Sequence, residues 1–113
     1  MVMDNVDFTN FSNLDIRVGN VLKAESFEKA KKPAYKLWVD FGTELGVLKS
    51  SAQITELYSM QSLIGSQILA VVNFHPRQIA DFMSECLVLG VYSDEGVILL
   101  RPDKHCEKGA KLG

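Results

Sequence analysis

The sequence has few of the residues that build metal centres and disulfide frameworks. Its 113 residues include two cysteines, two histidines and one tryptophan. Cys86 and Cys106 stand far apart, and no Cys-x-x-Cys or histidine partner accompanies either at metal-ligand spacing. We therefore expect no metal site, no cofactor and no disulfide, because reduced cysteines are the rule inside the cell.

Long apolar runs are also missing. The longest run contains about five residues, whereas a membrane-spanning helix needs about 20. The first seven residues, MVMDNVD, are acidic and lack the basic start and apolar core of a signal peptide. These two absences predict a cytoplasmic protein without membrane insertion.

The charge balance excludes a surface that is basic throughout. Lysine and arginine number 12 and aspartate and glutamate 14, for a net charge of −2, so nonspecific wrapping of nucleic acid is not expected. The 47% hydrophobic and 23% charged fractions are typical of a globular protein. Residues 1–113 are predicted to form a single domain, and a second copy would add to so small a core.

Alternation of apolar and polar residues predicts strands along most of the chain. In the first strand, which begins near Leu14, the alternation slips after Gly19 and indicates a bulge or bend. A short helix ending at Gly65 is predicted from the spacing of Leu57, Met60 and Ile64. Further strands are predicted at residues 35–41, 45–49, 68–72, 87–92 and 97–100.

This order of elements predicts a mainly β fold. Five antiparallel strands in a barrel, with a helix between strands three and four, define the oligonucleotide/oligosaccharide-binding fold, or OB fold. Residues 1–13 form an N-terminal arm and residues 101–113 a C-terminal extension without periodicity. Phe8 and Phe11, three residues apart in the arm, either cover the end of their own barrel or form a dimer interface.

Two loops and one strand carry candidate binding residues. Pro76 ends the strand at 68–72 and brings Asn73, His75 and Arg77 to the surface, either as binding groups or as a turn cap and solvated charges. Residues 28–36 hold four lysines and one glutamate around Pro33. This loop either grips phosphates or is a solvated connection, and composition favours the second interpretation.

The only tryptophan is predicted to lie on the polar face of its strand. Trp38 is flanked there by Lys36 and Asp40. An aromatic ring at that place can stack on a base or line an apolar pocket. It can equally be covered by a partner subunit or by the N-terminal phenylalanines.

Several short motifs together resemble a known family. They are LDIRVG at 14–19, DFG at 40–42, SSAQI at 50–54, and NFxPRxIA at 73–80 followed by Ser84-Glu85. In this order and spacing they are similar to the tRNA-binding-domain family and, within it, to the CsaA-type export chaperones, from Phe8 to the C-terminus. The resemblance implies an OB barrel whose terminal extensions pair two chains into a homodimer, and a binding role without catalysis.

The resemblance implies two kinds of ligand. CsaA-type proteins are chaperones of secretory preproteins that work beside the export machinery, whereas other members of the family bind tRNA. Where tRNA-binding relatives have a basic stretch, residues 78–83 have one acid and no base. This change favours unfolded or precursor polypeptides. The peptide-binding residues expected on this basis are exposed apolar side chains, namely Trp38, Phe74, Phe82 and Met83.

The alternative is a tRNA-binding accessory protein. Its reading face would contain Asn73, Arg77, Ser84 and Glu85, and its phosphate contacts would come from Arg17, Lys31 and Lys32.

An enzymatic interpretation finds less support in the sequence. It would need Cys86 or Cys106 as a nucleophile with His75 or His105 as the base. Cys86 lies in an apolar strand, and His105 and Cys106 lie in an irregular tail with no orienting acid nearby. The sequence therefore predicts a protein that is not an enzyme.

Overall fold

The structure is a computed structural model that describes residues 3–113. It contains two short helices and nine strands within these residues. In chain order they are α1 (Phe8–Ser12), β1 (Ile16–Ser26), β2 (Tyr35–Asp40), β3 (Val47–Ala52), α2 (Met60–Leu63), β4 (Gln67–Val71), β5 (Arg77–Ile79), β6 (Phe82–Ser84), β7 (Leu87–Val88), β8 (Gly90–Ser93) and β9 (Gly96–Leu99).

Five antiparallel strands form the main sheet in the order β3-β2-β1-β4-β7. The long strand β1 joins the two halves, because residues 20–26 pair with β2 and residues 16–20 pair with β4. The sheet curls into a nearly closed barrel, and α2 lies between β3 and β4. The predicted OB fold is confirmed.

Gly19 does not mark the bulge that the sequence predicts there. The register shift in β1 falls between Val21 and Lys23, and residues 16–20 pair regularly with β4. A Cβ atom at Gly19 would lie 2.7 Å from the Phe41 ring and would also overlap Val39. The glycine is therefore required by close packing inside the barrel.

Strand β3 extends past Lys49, the last residue of the predicted strand. Ser50 and Ala52 pair with Leu37 and Tyr35 of β2, and both are buried, Ser50 completely. These small side chains fit the crowded interior. The strand was not predicted to continue here because Ser50 and Ser51 are polar, although Ser50 lies in the core. The barrel core comprises Val21, Leu37, Val39, Phe41, Ala52, Ile54, Leu63, Ile68, Ala70, Cys86 and Leu99.

Helix α2 is shorter than predicted. It begins after Ser59, whose hydroxyl accepts a hydrogen bond from the Ser62 N–H while the Ser62 hydroxyl accepts one from the Ser59 N–H. Leu63 is the residue it buries in the core, whereas Leu57 and Ile64 are about half exposed. The prediction that Leu57, Met60 and Ile64 form the buried face of the helix was therefore wrong. A helix of one turn directs a single side chain, that of Leu63, into the core.

The predicted strand at 87–92 is divided into β7 and β8. Leu89 lies at the break, donating its N–H to the Leu69 carbonyl and accepting a hydrogen bond from the Leu100 N–H. Strands β4 and β7 pair as predicted, and β8 forms a separate hairpin with β9. The hairpin β5–β6 was not predicted; its turn contains Ala80 with φ +51°.

The C-terminal extension lies along the free edge of β1. Gly109 donates its N–H to the Val18 carbonyl at 2.7 Å, Val18 donates to Ala110 at 2.9 Å, and Leu112 donates to Ile16 at 2.8 Å. This segment therefore acts as a short additional strand of its own barrel. No helix within residues 3–113 is long and apolar enough to cross a membrane.

Candidate binding surface

An aromatic cluster covers the outer face of β2. Trp38 lies outside the barrel core, as predicted, and packs edge-on against Phe82 with ring centroids 5.9 Å apart. Phe27, at the end of β1, packs against Phe82 at 5.4 Å. Phe82 is only 6% exposed, so the expectation that it is an exposed apolar residue was wrong. The cause is the hairpin β5–β6, which folds back over Trp38.

Lysine side chains lie over the rings of this cluster. The Lys23 ammonium is 4.5 Å from the centre of the Trp38 ring, and those of Lys49 and Lys36 are 5.3 and 5.4 Å from that of Phe82. Ammonium groups at these distances are attracted to the negative faces of aromatic rings. The cluster is therefore covered by its own chain.

The other two predicted peptide-binding residues are exposed. Phe74 is 48% exposed in the connector after β4, and Met83 is 36% exposed on β6. Of the four predicted residues, Phe74 alone lines the large groove described next.

A groove of about 1060 Å³ lies between the end of β3 and strand β7. Its walls are largely apolar and include Ile54, Ile79, Leu87 and Val88. The groove also contains charged residues of both signs, namely Lys32, Arg77, Glu56, Glu85 and Asp94. The SSAQI segment was not predicted to belong to a binding site, but residues 51–54 of this segment form one wall of the groove.

Arg17 is held by its own chain. Its guanidinium donates to the Asp15 carboxylate at 2.6 Å and to the Gly109 carbonyl at 3.2 Å, and its side chain is 15% exposed. The hydrogen bond to Asp15 raises the pKa of Arg17 above its ordinary value. The residue thereby joins the start of β1 to the C-terminal extension.

Asn73 joins the N-terminal arm to the end of β4. Its side-chain oxygen accepts a hydrogen bond from the Asp15 N–H at 2.9 Å, and its amide nitrogen donates to the Asn13 carbonyl at 2.8 Å. Both ends of the side chain are therefore used within the fold.

Ser84 and Glu85 help to close the barrel. The Ser51 N–H donates to the Ser84 hydroxyl at 3.1 Å, and the Lys49 N–H donates to the Glu85 carboxylate at 2.9 Å. These side chains satisfy donors on the outer edge of β3, which is the first strand of the main sheet as the described residues form it.

Three of the predicted RNA-binding residues remain available on the surface. Lys31, Lys32 and Arg77 are exposed and form no ion pair with any residue from 3 to 113. Lys29 of the same loop is instead paired with Asp81 of the hairpin turn at 3.0 Å. Of the seven predicted RNA-binding residues, three are therefore exposed cations, and the side chains of the other four form hydrogen bonds within the fold.

The two cysteines have different surroundings. Burial raises the pKa of the Cys86 thiol to about 12, so its nucleophilic thiolate is scarce near neutral pH. Cys106 is half-buried, and its backbone N–H and carbonyl both bond to the Gln67 side chain. Within the described part of the chain, no three His, Cys, Asp or Glu residues are grouped as a metal site requires.

The N-terminal helix α1 does not cover its own barrel. It buries none of its residues; Phe8 is 75% and Phe11 39% exposed, with ring centroids 5.8 Å apart. Of the two interpretations of this pair, packing on the end of the same barrel is not observed.

The fold and the surface define an OB-fold binding domain, and comparison with known proteins gives its family. The tRNA binding domain family matches residues 16–111, and the chain belongs to that family. Among solved structures, it is similar to a CsaA chaperone protein from Picrophilus torridus, with 49% identity and a TM-score of 0.93 over 96% of this chain and all of that chain. It is likewise similar to chaperone CsaA from Bacillus anthracis, with 48% identity and a TM-score of 0.91 over 97% of this chain and all of that one.

Similarity to larger proteins covers a small part of them. A methionine–tRNA ligase from Methanocaldococcus jannaschii is 34% identical over 111 residues, which are 97% of this chain and 17% of the ligase. The chain thus spans about a sixth of the length of the curated relatives it matches.

Proposed function

We propose that this chain is a non-enzymatic, homodimeric polypeptide-binding protein of the CsaA type, a cytoplasmic chaperone for secretory preproteins that works with the export machinery. The groove between β3 and β7 carries the proposal, because it is large, mostly apolar and flanked by the exposed Phe74. Apolar walls with a few polar groups are typical of ligand sites.

The comparisons support the polypeptide ligand over the alternative. The chain is 49% and 48% identical to the two CsaA chaperones, whereas it is 34% identical to the methionine–tRNA ligase from Methanocaldococcus jannaschii. Four of the seven predicted RNA-binding residues are also engaged in the fold: Arg17, Asn73, Ser84 and Glu85.

Calorimetry with an unfolded secretory preprotein tests the proposal. Binding should have a negative heat-capacity change, because apolar surface is buried. Phe74→Ser should weaken binding, whereas Ile64→Ser, at an equally exposed apolar residue outside the groove, should leave it unchanged. Negligible heats for both the unfolded preprotein and a scrambled polar peptide would rule the function out.

The homodimer is tested separately. An exposed phenylalanine pair on a short arm is a typical contact surface for a second subunit. Sedimentation of the native chain at micromolar concentration should give two copies, and Phe8→Ser with Phe11→Ser should give single chains. A native chain that sediments as a single copy contradicts this part of the proposal.

A second candidate function is tRNA binding, favoured by the family match and by the surface cations Lys31, Lys32 and Arg77. Replacing all three by alanine should reduce the affinity for tRNA. It should also reduce the slope of log K against log salt concentration by about 0.7 to 0.9 for each lost contact. Asn73→Ala is the control: it removes hydrogen bonds within the fold but no charge, so it should leave the salt dependence unchanged. Binding that is absent at low salt, or independent of salt, excludes this candidate.

A further inference from the structure

The edge of β3 carries unused backbone groups where it enters the groove. Ser51 directs its N–H outward to Ser84, so its carbonyl and, two residues on, the N–H of Gln53 also face outward. Among residues 3–113, the Ser51 carbonyl accepts only a long 3.4 Å hydrogen bond, from the Ser50 hydroxyl. The Gln53 N–H has no hydrogen-bond acceptor among residues 3–113.

The opposite wall of the groove has a matching edge. The Leu89 N–H donates to the Leu69 carbonyl, so the alternation of an antiparallel pair directs the backbone groups of Val88 away from β4. No hydrogen-bond partner for the outward N–H and carbonyl of Val88 is found in the described chain. Ser51, Gln53 and Val88 all line the same groove.

A sheet edge with free donors and acceptors is a template for an added strand. Extended polypeptides bind to such edges through main-chain hydrogen bonds, and the side chains enter alternate pockets. The groove volume of about 1060 Å³ slightly exceeds the range of about 300–1,000 Å³ for small-molecule sites. A longer ligand therefore fits it better.

The charges in the groove favour a polypeptide over a nucleic-acid strand. Lys32 and Arg77 offer contacts to acidic side chains, whereas Glu56 and Asp94 offer contacts to basic ones. A phosphate backbone has one sign of charge throughout, and the two carboxylates repel it. A polypeptide carries charges of both signs.

We propose that an extended polypeptide segment binds in this groove as an added β-strand along residues 51–53, held by its backbone to the Ser51 carbonyl and the Gln53 N–H. This proposal rests on the polypeptide-binding function above and specifies the mode of recognition. Because backbone groups are common to all sequences, this mode allows one groove to accept many unfolded chains.

Backbone methylation of the ligand tests the mode. The probe is an acetylated decapeptide of alternating valine and threonine with one central glutamate. Two further versions carry N-methyl groups on the odd or on the even residues. In an added strand alternate N–H groups face the edge, so one methylated version should bind at least about tenfold more weakly than the other by calorimetry.

A pair of substitutions tests the same contact from the protein. Gln53→Pro removes the N–H, and the preference of the preceding residue for extended backbone matches Ala52 at the end of β3. Gln53→Ala keeps the N–H and is the matched control. Proline should weaken binding of the unmethylated decapeptide about tenfold and alanine should not. If the proline variant does not fold, the methylated peptides decide alone.

The outcomes separate the mode from the function. If unfolded preprotein binds but the two methylated versions bind the protein equally tightly, strand addition along residues 51–53 is wrong and the polypeptide-binding function stands. If neither preprotein nor decapeptide binds, the function itself fails. Displacement of the decapeptide by a single-stranded oligouridylate would place RNA in the groove and overturn the proposal.

Discussion

Glu85 and Lys49 exchange two hydrogen bonds at the gap in the barrel. The Lys49 N–H donates to the Glu85 carboxylate at 2.9 Å, and the Glu85 N–H donates to the Lys49 carbonyl at 2.7 Å. The glutamate side chain thus takes the place of a strand carbonyl beside β3. The Ser84 hydroxyl likewise accepts the hydrogen bond of the Ser51 N–H. The side chains of the Ser-Glu dipeptide therefore close the barrel along β3, which is an edge strand of the main sheet within residues 3–113.

Glu85→Ala should therefore destabilise the fold. It leaves the half-buried Lys49 N–H without its acceptor, which should lower the free energy of unfolding by about 1–3 kcal/mol. Glu85→Gln keeps an oxygen at the same place and should lose less. Urea unfolding of both variants measures the difference. If glutamine lowers the free energy of unfolding as much as alanine does, the hydrogen-bond acceptor at residue 85 is not the source of the stabilisation.

The fold could be predicted because period-two alternation survives along the long strands. Residues 35–40 alternate and form β2, and the apolar runs at 68–72 and 87–92 supply β4 and β7, which pair through residues 70–71 and 87–88. The hairpin β5–β6 escaped prediction because each of its strands has three residues, too few for a period to be visible. The burial of Phe82 depends on that hairpin.

The roles of polar motif residues were harder to predict. Arg17 and Asn73 have the same hydrogen-bonding groups whether they bind a ligand or other residues of their own chain, and the sequence does not indicate which of the two they bind. Their actual partners, Asp15, Gly109 and Asn13, are set by the docking of the two terminal segments on β1 and β4. Lys31, Lys32 and Arg77 were predictable as surface cations because each stands within two residues of a proline.

Phe82→Ala should open the aromatic cluster. Removing a 6% exposed phenylalanine leaves a cavity beside Trp38 and should cost about 3 kcal/mol of unfolding free energy. Water then reaches the indole, so the fluorescence emission of Trp38 should move to longer wavelength. Met83→Ala, at the exposed neighbouring residue, is the control and should change neither quantity by much. Unchanged emission in the Phe82 variant would contradict the packing described.

Asp40 should contribute stability that depends on pH. The hydrogen bond from Lys108 at 2.7 Å, and then that from the Gly42 N–H, lowers the pKa of Asp40 below its ordinary value. A carboxylate whose pKa is lowered by folding stabilises the protein above its unfolded pKa of about 3.9 and loses that contribution as pH falls through the folded value.

Thermal melts of the native chain and Asp40→Asn should therefore differ at pH 5–8 by a constant amount, of about 1 kcal/mol. The difference should shrink as the pH falls below about 3.9, the pKa of an aspartate in the unfolded chain, and through the lower pKa of Asp40 in the folded protein. Asp103→Asn, at an exposed aspartate without an ion pair in the described chain, is the matched control and should show no such difference. A gap between native and Asp40→Asn that widens as the pH falls would show that the sign is wrong.

Gly19→Ala should disturb the barrel interior. The added methyl group would lie 2.7 Å from the Phe41 ring and would overlap Val39, and both neighbours are almost completely buried and cannot move aside. Overpacking of this kind typically costs about 1–3 kcal/mol. In Phe41→Leu the ring is gone, so the alanine should cost less in that background than in the native chain. The four proteins form a double-mutant cycle, and a coupling energy near zero in urea unfolding would mean that the contact between Gly19 and Phe41 is not what excludes a side chain at residue 19.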